Sequence, residues 1–301
     1  SAYNERRRED RKMSNKPKGV LCIITSAFSA ALMGMFVRLA GDIPTMQKCM
    51  FRNLVSLFMA AGLLLASRTK VSLNKGDVKW LFIRATFGTI SLLSNFYALD
   101  RLMVADANML NKLSPFFTVI VSVILLKEAI RIPQILCIAA AFVGALFIIK
   151  PGGSAMPVFP ALIGALGGAT AGTAYSIVRL IQKRGVPGPF IVFFFSVFST
   201  VLLLPYALMN LQPMTGLQVV YMLLAGVFVA ISQFAITAAY RFAPAREISI
   251  YDYSQIIFST LLGMIFLHQF PDKWSYLGYV IIISASVAMF LYNRKRAEQR
   301  Q

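Results

Sequence analysis

The sequence predicts an all-α polytopic membrane protein of ten transmembrane helices, arranged as two inverted five-helix repeats. Three observations carry that expectation. The 301-residue chain is 57% hydrophobic and only 14% charged, with a mean hydropathy of +0.68, more apolar surface than a soluble domain can hide. Its apolar residues fall in blocks of about 20, the length a helix needs to cross a ~30 Å hydrocarbon core. Segments about 140 residues apart also echo one another: "FVRL" at 36–39 with "IVRL" at 177–180, and "VADANMLNKLSPFF" at 104–117 with "PAREISIYDYSQII" at 244–257.

The expected spans of the first half are 19–40, 46–67, 78–99, 105–126 and 132–149; those of the second are 158–180, 189–209, 216–240, 246–267 and 274–292. Residues 1–18 form a basic tail (1–12, ahead of Met13, are set aside from fold reasoning), 19–150 the first repeat, 151–293 the second and 294–301 a basic C-terminal tail. A secretory signal is not expected, because the first apolar block is full length and more follow.

Span 1 carries Ser26, Ala30 and Gly34 at four-residue spacing, and span 6 carries Gly164, Gly168 and Gly172. Such stripes let helix backbones approach closely. Span 2 holds Arg52 about two turns in. Span 3 contributes Ser91, Ser94 and Asn95, and span 8 contributes Ser232, Gln233 and Thr237, uncharged polar groups that serve as helix–helix glue or line a cavity. Arg38, Arg84 and Arg179 lie within a turn or two of a span end, where long side chains snorkel to the interface. "PGG" at 151–153 marks the seam between the halves.

Span 4 is the most informative. If it starts near Ala105, Lys112 lies about 10 Å along the axis. An unpaired ammonium there costs at least a few kcal/mol, so it needs water, a partner or a solute anion. Asn108, Asn111, Lys112 and Pro115 share one helical face, and Pro115 removes a backbone bond to residue 111 and loosens the helix there. The counterpart of Lys112 in the second half is Asp252, in a stretch that also offers Ser249, Tyr251 and Gln255. Inverted repeats leave roughly 10 Å between the two charges along the normal of a ~30 Å core. A direct pair therefore needs tilt or a bent span, and a bridging solute or water is the alternative. Asp252 is also a candidate carrier of a coupling proton, since burial raises a carboxyl pKa. Asp106 and Pro244 suit helix starts.

The formal charge of +18 does not point to nucleic acid, because the basic residues crowd at alternate ends of the spans. The N-terminal "RRREDRK", the 68–79 loop, Lys127, Arg131, Lys183, Arg184, Arg241, Arg246 and "RKR" at 294–296 share one side if the N-terminus is inside. This positive-inside pattern places both termini in the cytoplasm and the protein in the cell inner membrane, with anionic lipid as a partner of the basic tail. Cys22, Cys49 and Cys137 have no pairing or metal spacing, and the single His268 makes no metal site, so neither cofactor nor metal is expected. One histidine and no buried carboxylate cluster leave little for an intramembrane enzyme. No filter loop is evident for a channel. Five spans per repeat put the second copy in from the opposite side, the architecture of many secondary transporters.

"FYALDRLMVADANMLNKLSPFFTVIVSVILLKE" at 96–128, "AAYRFAPAREISIYDYSQIIFSTLLG" at 238–263 and "RN" at 52–53 together resemble the drug/metabolite transporter superfamily, EamA type, over residues 17 to 293. The chain departs from the pattern where His268 stands in place of the glutamate that Glu128 supplies in the first half. The resemblance implies a carrier of organic solutes working by alternating access, with a central cavity lined mainly by spans 1, 3, 4, 6, 8 and 9. It leaves the solute open: some similar carriers take up S-adenosylmethionine and others export amino acids. The residues favour an amino-acid-like or other carboxylate-bearing metabolite, with Lys112, Asn108 and Asn111 on the anion, Asp252, Tyr251, Ser249 and Gln255 on donor groups, and Asn95, Gln233 and Arg52 as further contacts. Transport of an anion or dicarboxylate, export of hydrophobic or cationic compounds centred on Asp252, and uptake of a nucleoside-like metabolite are the alternatives. A coupling proton or exchange substrate is a further expected partner.

Overall fold

The computed structural model describes residues 2–67, 73, 75–126, 130–150, 157–242 and 249–298. The described residues are helical throughout, with no strand. The helices are α1 (Ala2–Leu39), α2 (Thr45–Ser67), α3 (Lys75–Arg101), α4 (Val104–Asn111), α5 (Ser114–Leu126), α6 (Ile132–Ile149), α7 (Val158–Lys183), α8 (Gly188–Met209), α9 (Gly216–Phe242), α10 (Ser254–Leu267) and α11 (Lys273–Glu298). A 3-10 turn, Ser249–Tyr253, leads into α10.

Each helix runs until local chemistry stops it. The chain turns after α1 at Gly41, whose φ of +67° a side chain disfavours. The α7–α8 turn uses Gly185 at φ +91° and Pro187 just ahead of the new helix. His268 ends α10 in a left-handed conformation, with its N–H on the Gly263 carbonyl. Lys127, Glu128, the 151–153 seam, Pro244 and Arg246 lie outside the described residues.

Against the ten spans expected, eight helices among the described residues are long and apolar enough to cross a membrane. The third and fourth expected spans fall outside that set. Helix α3 carries Lys75, Asp77, Lys79 and Arg84 in its first half, which dilutes its apolar length. The fourth is broken into α4 and α5, of 8 and 13 residues. The first expected span starts at 19, whereas α1 already begins at Ala2 and runs through the basic tail.

The halves interleave rather than sit side by side. The most extensive contacts are α1 with α9, α3 with α7, α6 with α11 and α2 with α8, each joining one half to the other. Exchanging every helix for its counterpart maps α1–α9 onto α7–α3, and α1–α10 onto α7 with α4 and α5. Small residues set the distance of closest approach. A Cβ on Gly168 would lie 2.6 Å from the Leu110 carbonyl oxygen, and one on Gly172 2.5 Å from that of Ser114, so the stripe of α7 seats directly against the α4–α5 break. Ser91 Oγ donates to the Gly167 carbonyl at 2.9 Å, and Ser26 and Ser232 hydroxyls meet at 2.9 Å. Ser91 and Ser232 thus hydrogen-bond across helices; the Thr237 side chain lies outside the described residues.

Polar contacts knit one end of the molecule. Lys48 Nζ donates to Asp100 Oδ1 at 2.5 Å and Thr45 Oγ1 to Asp100 Oδ2 at 2.6 Å. Gln47 exchanges hydrogen bonds of 3.1 Å with the backbone of Gln212, and the Val104 N–H donates to Gln269 Oε1 at 2.9 Å. Lys150 pairs with Asp272 at 2.6 Å. At the opposite end the described residues show Arg184 with Asp77 at 3.4 Å and Gln134 with Asn293 at 3.0 Å.

Candidate functional site

The chain breaks twice at equivalent places. Helix α4 ends at Asn111, Lys112 and Leu113 form a turn, and α5 starts at Ser114. In the second half the 3-10 turn ends at Tyr253 and α10 starts at Ser254, 140 residues after Ser114. Pro115 in the first turn of α5 has no N–H to give back to residue 111, and the Leu113 N–H instead reaches the Leu110 carbonyl at 3.2 Å. The break frees carbonyls that a continuous helix would consume, and buried carbonyls need donors. Tyr253 supplies one: its hydroxyl donates to the Lys112 carbonyl at 3.2 Å and lies 2.6 Å from Ser286 Oγ of α11.

Lys112 and Asp252 meet at these breaks in a direct ion pair. The bent-span condition for such a pair is therefore fulfilled, without a bridging group. Both side chains are half-buried, 13% and 29% exposed, so the pair is shielded yet reachable. Next to it, Asn108 is buried and donates from Nδ2 to Ser259 Oγ of α10 at 2.8 Å. Gln255 is buried in the first turn of α10, Asn111 is half-buried and Pro115 exposed. Tyr251 is 41% exposed. The Ser249 side chain lies outside the described residues. Gln233 is exposed on α9, one residue after the Ser232 that holds α1. Asp106, in the first turn of α4, accepts from the Tyr279 hydroxyl of α11 at 2.5 Å.

The arginines divide. Arg38 donates to the Leu99 carbonyl at 3.3 Å near a helix end, and the Arg179 side chain lies outside the described residues. Arg84 does not snorkel: its Nε and Nη1 are buried without a hydrogen-bond partner. Its guanidinium lies over the Phe195 ring at 4.2 Å instead. Arg52 donates from Nη1 to Asn53 Oδ1 at 3.3 Å while its Nε is buried and unpartnered, as is Asn95 Oδ1. Arg52, Arg84 and Tyr175 lie within electrostatic reach of one another, and Asp252 reaches Tyr175. Tyr175 is 56% exposed and within electrostatic reach of charged side chains from α2, α3 and the 3-10 turn.

Tyr175 and the fold-back of Arg84 beside Gly88 are structural features that sequence reasoning passed over. A signal existed for each. Tyr175 lies three residues after Gly172 on the face of the α7 stripe, and Gly88 stands four residues after Arg84. A depression of about 420 Å³ lined by Gly41, Thr45, Asp100 and Gln212 is separate, lying at the knitted end of the molecule.

Multiple apolar helices around an internal charged site with two interrupted helices define a multi-pass integral membrane protein of the transporter class. The chain belongs to the EamA-like transporter family, which it matches twice, over residues 17–150 and 159–291. That family is part of the drug/metabolite transporter superfamily, and the protein is a transporter rather than an enzyme. It is 28% identical to the Pseudopaline exporter CntI of Pseudomonas aeruginosa over 275 residues, 90% of this chain and 95% of that one. It is 23% identical to Solute carrier family 35 member G1 of Homo sapiens, over 89% of this chain and 78% of that protein. A crystal structure with 17% sequence identity shares the fold at a TM-score of 0.61, covering 93% of this chain and 99% of that one.

Proposed function

We propose that the protein is a secondary transporter that moves a small polar organic solute bearing a carboxylate across the cell inner membrane by alternating access. The observation that carries this reading is the Lys112–Asp252 ion pair, placed where both helix breaks meet. Two opposite charges deep in a membrane are tolerable together and costly apart. An amino-acid-like solute offers Lys112 a carboxylate and Asp252 an ammonium, so it can replace the internal pair without leaving either charge bare. When the solute leaves, the pair re-forms and the empty carrier reorients with no uncompensated charge at its breaks.

The ten-crossing reading takes α3 and the α4–α5 pair as the third and fourth spans. Both termini then lie in the cytoplasm, supported by basic residues at one set of helix ends. The end knitted by Lys48–Asp100 and Lys150–Asp272 faces outward and is closed, and Tyr175 and Tyr251 open toward the cytoplasm. A coupling proton or an exchanged solute completes the cycle, and Asp252 is the carboxylate the site offers to a proton.

The test is counterflow of labelled amino acids and organic acids in proteoliposomes. Lys112→Ala and Asp252→Asn are each expected to cut uptake at least tenfold while remaining monodisperse. Normal counterflow in both variants would sink the assignment.

A further inference from the structure

Arg52 and Arg84 stand out because, among the described residues, no carboxylate pairs with their buried guanidinium nitrogens. Among the described carboxylates, Asp77 meets Arg184, Asp100 meets Lys48, Asp106 meets Tyr279, Asp252 meets Lys112 and Asp272 meets Lys150. Asp42 lies in the exposed turn after α1. Meanwhile Arg52 Nε, Arg84 Nε and Arg84 Nη1 are buried donors without acceptors. A buried, unsatisfied charged donor is expensive, and proteins keep such groups where a ligand completes them.

The surroundings hold Arg84 in that condition. A Cβ on Gly88 would lie 2.9 Å from Arg84 Nη1 and 2.9 Å from the Phe195 ring, so the missing side chain is what lets the guanidinium fold back along α3. Phe195 backs it at 4.2 Å. On the same stretch of α8, Ser196 Oγ and Thr200 Oγ1 are also buried without partners. Asn53, next to Arg52, is anchored to Ser199 Oγ at 2.8 Å, which ties α2 to this stretch. Tyr175 lies within electrostatic reach of both arginines and of Asp252.

From this arrangement we infer that Arg52 and Arg84 form a binding site for the carboxylates of a dicarboxylate solute. The inference rests on the transporter reading and narrows its solute class. The Lys112–Asp252 pair is neutral as a unit, so the two arginines leave a local charge of about +2, to which two carboxylates on one solute are complementary. Guanidinium forks match carboxylates in a bidentate fashion, and buried hydroxyls beside them can donate to the remaining carboxylate lone pairs.

The experiment measures binding to the purified full chain in nanodiscs, by isothermal titration and thermal shift, with succinate, lactate and inorganic phosphate as probes. Succinate is expected to bind at least tenfold more tightly than lactate. Arg52→Gln and Arg84→Gln should each weaken succinate tenfold or more. Gly88→Ala, which keeps both charges but displaces one, should weaken it as well; it serves as the readout, with Arg84→Lys, if a glutamine variant fails to fold. Equal affinity for succinate and lactate, unchanged succinate affinity in the variants, or a response to phosphate alone would each overturn the assignment. Proteoliposome counterflow of an amino-acid mixture separates the two readings. Counterflow without succinate binding removes the dicarboxylate site and leaves the transporter standing. Succinate binding without counterflow of any solute, succinate included, does the reverse.

Discussion

Lys112 and Asp252 are each tolerable because the other is there. Removing one leaves a half-buried charge without its partner, whereas removing both leaves none. A double-mutant cycle of Lys112→Ala and Asp252→Asn is therefore expected to give a favourable coupling of about 1–3 kcal/mol, with the double variant more stable than the sum of the singles predicts. Thermal or denaturant unfolding in detergent measures it, and strict additivity would mean the pair contributes nothing. Tyr253 acts at the same scale. Tyr253→Phe strips the donor from the Lys112 carbonyl, at an expected cost of about 1 kcal/mol.

At the scale of elements, the crossing of α7 over the α4–α5 break depends on absent side chains. Gly172→Ala would drive a methyl to 2.5 Å from the Ser114 oxygen and 2.8 Å from the Thr118 nitrogen, both backbone atoms that cannot turn away. A loss of about 1–3 kcal/mol follows, while Gly62→Ala, with open space around its site, should lose none. Melting both variants alongside the parent compares them directly. The link between α6 and α11 is electrostatic instead. Burial works against ionised Asp272, but hydrogen bonding to Lys150 and Ser275, with the Lys150 charge, overcomes it and holds its carboxyl below the usual range. A carboxyl depressed in the folded state contributes its stability above the unfolded pKa and loses it as pH falls through the folded value. The melting difference between the parent and Asp272→Asn should therefore stay level from about pH 5 to 8 and shrink below about pH 4. As Asp272 is 42% exposed, the effect is small.

At the scale of the whole molecule, the contacts knit one end and leave tyrosines accessible from the other. With Cys22, Cys49 and Cys137 replaced, Tyr175→Cys and Tyr251→Cys are expected to react with a membrane-impermeant maleimide applied from the side of Gly185, and not from that of Gly41 and Gly216. Labelling from the opposite side in sealed, oriented vesicles would reverse the assigned closure. Solute that drives reorientation should protect both positions.

Much of the architecture was legible because lipid imposes simple rules. Apolar blocks of membrane length, alternating basic loops and the 140-residue echo need no tertiary contact to be read. Lys112 was legible as a charge requiring a partner, and Asp252 as its counterpart. The length of the third and fourth spans was not, since charges in α3 and the break at Lys112–Leu113 disturb the apolar pattern just where the site is built. Arg84 was misjudged as a snorkelling residue because distance from a helix end says nothing of which neighbour covers the guanidinium. Gly88 and Phe195 decide that, and Phe195 stands 111 positions further along the chain. The sequence alone thus determined a duplicated bundle of membrane-length helices and the residue types at its breaks, through local propensity and hydrophobic length. Only the tertiary structure decided which of the described charges neutralise one another and which meet no carboxylate, because charge pairing depends on distances between helices that no local pattern encodes.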